Sequence, residues 1–145
     1  MTAEALRTIT GVELDGPARL TLTWSDGRTA RIDLTSSLKT PAFKALKDPV
    51  LFEKVEIGDW GHSLSWPDGT EIGADSLWLD SLSAWGRDDT RAFLEWRLRH
   101  ALSLAKAAEA LGLSRRQIAY YSSGEKVVPK PILLACRGWE ALQAA

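Results

Sequence analysis

The chain has 145 residues, 45% hydrophobic and 26% charged, with a net charge of −1 and a mean hydropathy of −0.15, an ordinary globular composition with length for one or two small domains. No apolar run approaches the roughly 20 residues of a membrane helix, and Met1-Thr2-Ala3-Glu4 lacks the charged-then-apolar pattern of a signal peptide, so no membrane association is expected. The single cysteine, Cys136, excludes an internal disulfide framework and fits a reducing cytoplasm, and with only His62 and His100 beside it no metal cluster is expected.

The near-neutral total hides a division. Residues 1–89 carry nine Lys and Arg against fifteen Asp and Glu, a net −6, whereas residues 90–145 carry nine against four, a net +5. Such asymmetry points to a basic working module joined to an acidic partner. The domain expectation is a small acidic α+β domain over 1–86, serving oligomerisation or sensing, and a basic four-helix domain over 87–145. Gly86-Arg87-Asp88-Asp89 reads as the connection.

In the acidic half, Val12 and Leu14 predict a first strand, closed by the turn Asp15-Gly16-Pro17. Leu20-Thr21-Leu22-Thr23-Trp24 alternates apolar and polar, and the alternation resumes at Ala30, Ile32 and Leu34. Between them, Ser25-Asp26-Gly27 supplies the Asp-Gly pair of a tight hairpin, whose residues must visit positive φ. A short helix is expected over Pro41–Lys47, with Phe43 and Leu46 inward. Val55 and Ile57 then alternate, as do Leu64 and Trp66, and Pro67-Asp68-Gly69 makes another turn. Asp75 is the expected cap of a last helix, with Trp78, Leu82 and Trp85 on one face.

Five of the seven tryptophans (Trp24, Trp60, Trp66, Trp78, Trp85) fall in this half. Indoles fill a thin core or a subunit interface efficiently; a stacking pocket for a base or small ligand is the alternative, and the acidic charge here argues against nucleic acid. Turn chemistry accounts for Asp26 and Asp68 better than acid–base catalysis. His62, after Gly61, reads as a solvated loop residue.

Several pieces, namely Trp24-Ser25-Asp26-Gly27, Asp33-Leu34, Pro41-Ala42-Phe43, Phe52, Trp66-Pro67-Asp68-Gly69 and Asp75-Ser76-Leu77-Trp78, resemble a family of small bacterial α+β domains whose function is not established. The resemblance spans roughly residues 6–80. It implies a fold and no reaction.

From Asp89 onward the periodicity turns helical. Asp89 or Thr90 is the expected cap of a helix reaching about Ala101, with Leu94, Leu98 and Ala101 on one face and Phe93 and Trp96 beside it. Ser103 caps a second helix, Leu104 to Ala110, and Gly112 follows, where a helix end favours positive φ. Ser114 caps a third, Arg115 to Ser122, ended by Ser123-Gly124. Pro129 and Pro131 open a fourth, with Ile132, Cys136, Trp139 and Leu142 in register for burial. His100 and Cys136 are expected to pack.

Leu104 through Tyr121 resembles the helix-turn-helix of the phage-repressor-like, Xre-type DNA-binding family. Ala107 and Ala108 suit a close helix crossing, Gly112 suits the turn, and Leu111, Leu113 and Ile118 stand at packing positions. The resemblance implies an all-α lambda-repressor-like domain whose third helix enters a major groove about 12 Å wide. It places Arg115, Arg116, Gln117, Ala119 and Tyr120 at base edges, where Arg can pair with guanine and Gln with adenine through two hydrogen bonds. Ser114, Ser123, Lys106, Lys126 and Lys130 would meet phosphates. A solvated face is the plainer account of the two arginines, yet they oppose the helix dipole at a helix start, which points to an external anion.

Three positions depart from the family pattern. Leu104 stands where many members have Gln, Ser122-Ser123-Gly124 replaces the common Glu-Asn-Gly, and Tyr120 brings a bulky ring to a position where smaller or basic residues are frequent.

The expected function is sequence-specific binding of double-stranded DNA by a bacterial transcriptional regulator. A homodimer is expected, because one recognition helix reads few base pairs. A protein partner or small ligand would act on the acidic half. The alternative is a protein-interaction adaptor, antitoxin-like or regulatory, that keeps the fold without binding DNA; an apolar Leu104 would then belong to a protein contact. No phosphate-cradling glycine loop, nucleophile–base arrangement or metal-ligand spacing is found, so neither catalysis nor a cofactor is expected.

Overall fold

A computed structural model of the chain describes residues 7–145; the opening Met1-Thr2-Ala3-Glu4 and the first position of the α+β resemblance lie outside the described residues. Two compact units are formed, Met1–Trp85 and Gly86–Ala145. Among the described residues no helix is long and apolar enough to cross a membrane.

The first unit is α+β and holds two antiparallel three-stranded sheets. β1 (Ile9–Leu14), β2 (Arg19–Trp24) and β3 (Thr29–Asp33) pair in the order β1-β2-β3, and β4 (Glu56–Ile57), β5 (Ser63–Ser65) and β6 (Glu71–Gly73) in the order β4-β5-β6. Alternation along β2 buries Leu20, Leu22 and Trp24, and the antiparallel register sets Ile32 opposite Leu20 and Ala30 opposite Leu22. Period-two patterning thus puts one face of the sheet into the core.

Both sheets turn on the same device. Gly27 N–H donates to Trp24 O and Trp24 N–H to Arg28 O, each at 2.8 Å; in the second hairpin Gly69 N–H donates to Trp66 O at 3.0 Å and Trp66 N–H to Thr70 O at 2.9 Å. Only the glycines, at φ 90° and 92°, enter the left-handed region, so Asp26 does not take the positive φ expected of it. These are three-residue loops closed by a left-handed glycine rather than two-residue turns. The aspartates serve differently, with Asp26 Oδ1 accepting from Arg28 N–H at 2.9 Å and Asp68 Oδ1 from Thr70 N–H at 3.0 Å.

Other expectations shift for local reasons. Pro41–Lys47 is a 3₁₀ segment with Leu46 buried and Phe43 only half-buried. Pro49 disfavours helical backbone at Asp48, which sits extended at ψ 114° and instead caps α1 (Pro49–Phe52) by accepting from Val50 N–H at 3.0 Å. Ile57 lies in a strand as its alternation implies, but β4 is only two residues long and Ile57 is exposed in it. Asp75 is not a cap; Gly73 holds that place at the start of α2 (Ala74–Ala84), and Asp75 lies in the first turn.

The tryptophans serve mainly as packing. Trp24, Trp66 and Trp78 are buried, with Trp24 edge-on to Trp78 at 5.0 Å. Trp24 Nε1 donates to Ser81 Oγ at 3.0 Å, Trp66 Nε1 to Phe52 O at 3.1 Å, and Trp85 Nε1 to Thr29 O at 2.8 Å. Trp60 departs from the group, being 88% exposed and held at φ 59°.

The second unit is four helices: α3 (Asp88–Arg99), α4 (Leu104–Leu111), α5 (Arg115–Ser123) and α6 (Lys130–Ala144). Its core gathers Phe93, Trp96, Ala107, Ala108, Ile118, Tyr121, Val128 and Cys136. Neither Asp89 nor Thr90 caps α3, which starts after Arg87; Thr90 is fully buried within its first turn. Leu98 is 60% exposed, because the buried stripe runs through Thr90, Phe93, Leu94 and Arg97 and position 98 falls beyond its edge. Ala101 lies past the helix at φ 51° and is exposed. In α6 Cys136 is buried and Ile132 and Trp139 pack against the core, but Leu142 is exposed with the rest of residues 141–145.

Candidate nucleic-acid interface

Ser103 caps α4, its Oγ accepting from Lys106 N–H at 3.1 Å. Ala107 and Ala108 present small buried faces, which lets another helix approach closely. Gly112 closes the helix at φ 69°, and Leu113 N–H then donates to Ala108 O at 3.0 Å. One residue later Ser114 caps α5, its Oγ accepting from Gln117 N–H at 3.1 Å. Two capped helices therefore flank a turn of two residues, Gly112 and Leu113.

α5 has two distinct faces. Ile118, Tyr121 and Ser122 are buried, with Tyr121 edge-on to Phe93 at 5.6 Å. Arg115 and Arg116 are exposed, and Gln117, Ala119 and Tyr120 are half-buried. Neither arginine has a carboxylate partner among the described residues, and the first turn of α5 contains no acid. Two unpaired cations thus stand at the positive end of a helix dipole, an arrangement that raises the local potential toward anions.

The other predicted contacts are arranged less uniformly. Lys126 Nζ lies 4.5 Å over the Tyr120 ring and Lys126 N–H donates to Tyr120 O at 3.2 Å, so these two residues come together. The Ser114 hydroxyl accepts as a cap, a bond that leaves its proton to donate elsewhere. Ser123 Oγ already donates to Tyr120 O at 3.3 Å and accepts from Glu125 N–H at 3.2 Å, so a phosphate would compete with the first of these bonds. Lys106 and Lys130 are exposed. Leu104 is half-buried and packs against the core, which removes the apolar surface expected of it.

Three positioning residues escape a sequence reading. Arg87 and Asp89, read as connection, are folded into the second unit: Arg87 Nη1 donates to Gly124 O at 2.8 Å and Nη2 to Thr90 Oγ1 at 3.0 Å, while Asp89 Oδ2 accepts from Val128 N–H at 2.8 Å. Partial burial opposes the charge on Asp89, but the Arg87 guanidinium and the Val128 N–H outweigh it and hold the carboxyl below its ordinary range. Arg97 is 6% exposed; its Nε donates to Leu102 O at 3.1 Å and its Nη1 to Ser122 Oγ at 2.8 Å. In sequence it passes for a surface charge favourable to the helix end. Together the three tie the end of α5 and the loop after it to α3.

His100 and Glu140 meet at 3.0 Å, and Arg99 Nη2 donates to Glu140 at 3.1 Å. These contacts hold the Glu140 carboxyl low, the His100 hydrogen bond first among them. Among the described residues no group of three or more His, Cys, Asp or Glu is placed to hold a metal ion.

The family model described as "Protein of unknown function (DUF2442)" matches residues 9–81. Among solved structures, the Nitrosomonas europaea ATCC 19718 protein named "Putative DNA Binding Protein NE0471" is 39% identical, with a TM-score of 0.71 over 97% of this chain and 91% of that one. No curated protein matches.

Proposed function

The chain belongs to the family described as protein of unknown function (DUF2442), and from that premise we propose that its second unit adds sequence-specific DNA binding, making the protein a bacterial transcriptional regulator. In this reading α3 to α6 form a lambda-repressor-like, Xre-type helix-turn-helix domain, and α5 enters the major groove. Arg115, Arg116, Gln117, Ala119 and Tyr120 then face base edges, and Ser114, Ser123, Lys106, Lys126 and Lys130 face phosphates. The observation that carries it is the pair of exposed, unpartnered arginines at the Ser114-capped start of α5. The name of the Nitrosomonas europaea protein supports the same partner.

One recognition helix reads few base pairs, so the working species is a homodimer on two half-sites about 34 Å apart or a multiple of this. The first unit serves oligomerisation or sensing. No catalytic step, cofactor or metal enters the reading.

A second reading, a protein-interaction adaptor, has one observation in its favour: Leu98, Val127, Leu134 and Leu142 are exposed apolar side chains on the second unit. Selection of bound duplexes from a random pool, followed by titration of the full chain at several salt concentrations, separates the two. DNA binding predicts an enriched two-fold-symmetric site. It also predicts a log–log salt slope shallower by up to about 1.8 in the Arg115→Ala/Arg116→Ala double variant, if each arginine neutralises one phosphate. No enrichment together with salt-insensitive behaviour would overturn it in favour of the adaptor.

A further inference from the structure

The first unit contains a half-open groove of about 530 Å³, within the size range of small-molecule sites. Its walls are mainly apolar and come from three places in the sequence: Leu14 and Pro17 around the β1–β2 turn, Leu38 from the 3₁₀ segment Ser37–Lys39, and Pro49 and Phe52 from α1. Leu38 and Phe52 are 5% and 4% exposed, so the floor belongs to the core, whereas Leu14 is 44% exposed although its partner across the β1–β2 pairing, Leu20, is fully buried. The turn that forms one wall is shaped by two left-handed residues, Gly16 at φ 107° and Ala18 at φ 57°. Ala18 pays a steric cost for this conformation. Its carbonyl accepts from Leu34 N–H at 2.7 Å, which holds the wall in place.

The charges around this groove give it a sign. Lys39, Lys47 and Glu53 line it, and none of the three has an ion-pair partner among the described residues. Two ammonium groups against one carboxylate leave one positive charge beside an apolar cavity. The complement of that surface is a molecule with an apolar body and a single negative charge.

We propose that the groove of the first unit binds a small amphipathic monoanion, an aliphatic or aromatic carboxylate whose body lies against Leu14, Leu38 and Phe52 and whose charge sits between Lys39 and Lys47. Phe52 connects this site to a spectroscopic reporter, since it stacks on Trp66 at 6.2 Å and its carbonyl accepts the Trp66 indole N–H. The inference is independent of the DNA-binding reading and stands or falls without it.

The test titrates the full chain with octanoate, octanol and acetate, following tryptophan fluorescence and the backbone amide resonances of Leu14, Leu38 and Phe52. Saturable octanoate shifts at these amides are expected, with octanol at least tenfold weaker and acetate without effect. The Lys39→Gln/Lys47→Gln variant, whose two sites are exposed and whose circular dichroism should be unaltered, is expected to reduce octanoate affinity at least tenfold, to the level of octanol. Equal binding of octanoate and octanol, unsaturable shifts, or shifts elsewhere on the chain would overturn the proposal. Shifts at the same amides on raising protein concentration without ligand would place a second copy in the groove and also overturn it.

Discussion

Arg87 Nε donates to Asp89 Oδ1 across 3.2 Å, and each of the two residues then holds a different point of the segment that follows α5. Arg87 reaches the carbonyl of Gly124, and Asp89 takes the N–H of Val128, 39 residues away in sequence. Two residues at the opening of the second unit thereby fasten the far end of the helix that presents Arg115 and Arg116. With side chains only 29% and 20% exposed, the pair is shielded enough for its hydrogen bonds to matter.

Asp89→Asn keeps the shape and removes the charge, so it should destabilise the second unit by about 1.5–3 kcal/mol, the usual worth of hydrogen bonds to a charged group. The pH dependence has a definite sign. The folded-state carboxyl titrates below its ordinary 3.8, so its contribution is complete above that value and disappears as pH falls through the lower folded value. Urea midpoints of the two proteins should differ at pH 6 and converge under acid. A gap that widened on acidification would contradict the assignment.

For base recognition, Arg115→Ala should weaken binding to the selected site by about 1–3 kcal/mol and relax preference at one base position, if the guanidinium pairs with guanine. Competition among single-base variants of the site reads this directly. An unchanged preference at every position would remove Arg115 from the base-reading set, whatever the loss of affinity.

The twin hairpins predict matched responses. At Gly27 and Gly69, φ is 90° and 92° and an added Cβ would meet nothing within 4 Å. Replacement by alanine therefore costs backbone strain alone, about 1–2 kcal/mol at each site, and asparagine should cost less because it tolerates left-handed backbone. Thermal melts of the four single variants test the symmetry. Losses well above this range would mean that a packing contact is broken as well.

Cys136 offers a probe of opening in the second unit. It is 4% exposed, and burial, with the neighbouring Glu140 charge, pushes its thiol up to about 11. At pH 8 only on the order of one thiol in a thousand is ionised, so a disulfide reagent should react far more slowly with the native chain than with the urea-unfolded one. Native labelling as fast as unfolded labelling would place the thiol at the surface.

The two hairpins and the four helices, two of them capped by serine, are legible because their signals are local. An Asp-Gly pair bends the chain wherever it stands, a serine before a helix accepts from the N–H three residues on, and period-two alternation in Leu20-Thr21-Leu22 can bury only one face. The turn type was less legible, since Asp-Gly suits more than one loop length. Leu98 and Leu142 lie exposed for a shared reason: periodicity states which side of an element is apolar, but not how far the neighbouring core reaches along it.

By itself, the sequence determined the local grammar of this protein: an acidic half of strands and turns, a basic half of four helices with serine caps on the middle two, and two arginines at the start of the third of those helices. Tertiary structure alone decided which charges were committed inside. Arg87 and Arg97 look like solvated charges, and Asp89 like a helix cap, until α5 and the loop after it supply Gly124, Ser122 and Val128 as partners. It also decided that Lys39, Lys47 and Glu53 surround one apolar groove. Hydrogen bonds, ion pairs and cavities depend on residues far apart in the chain meeting within a few ångströms, and no local pattern encodes that meeting.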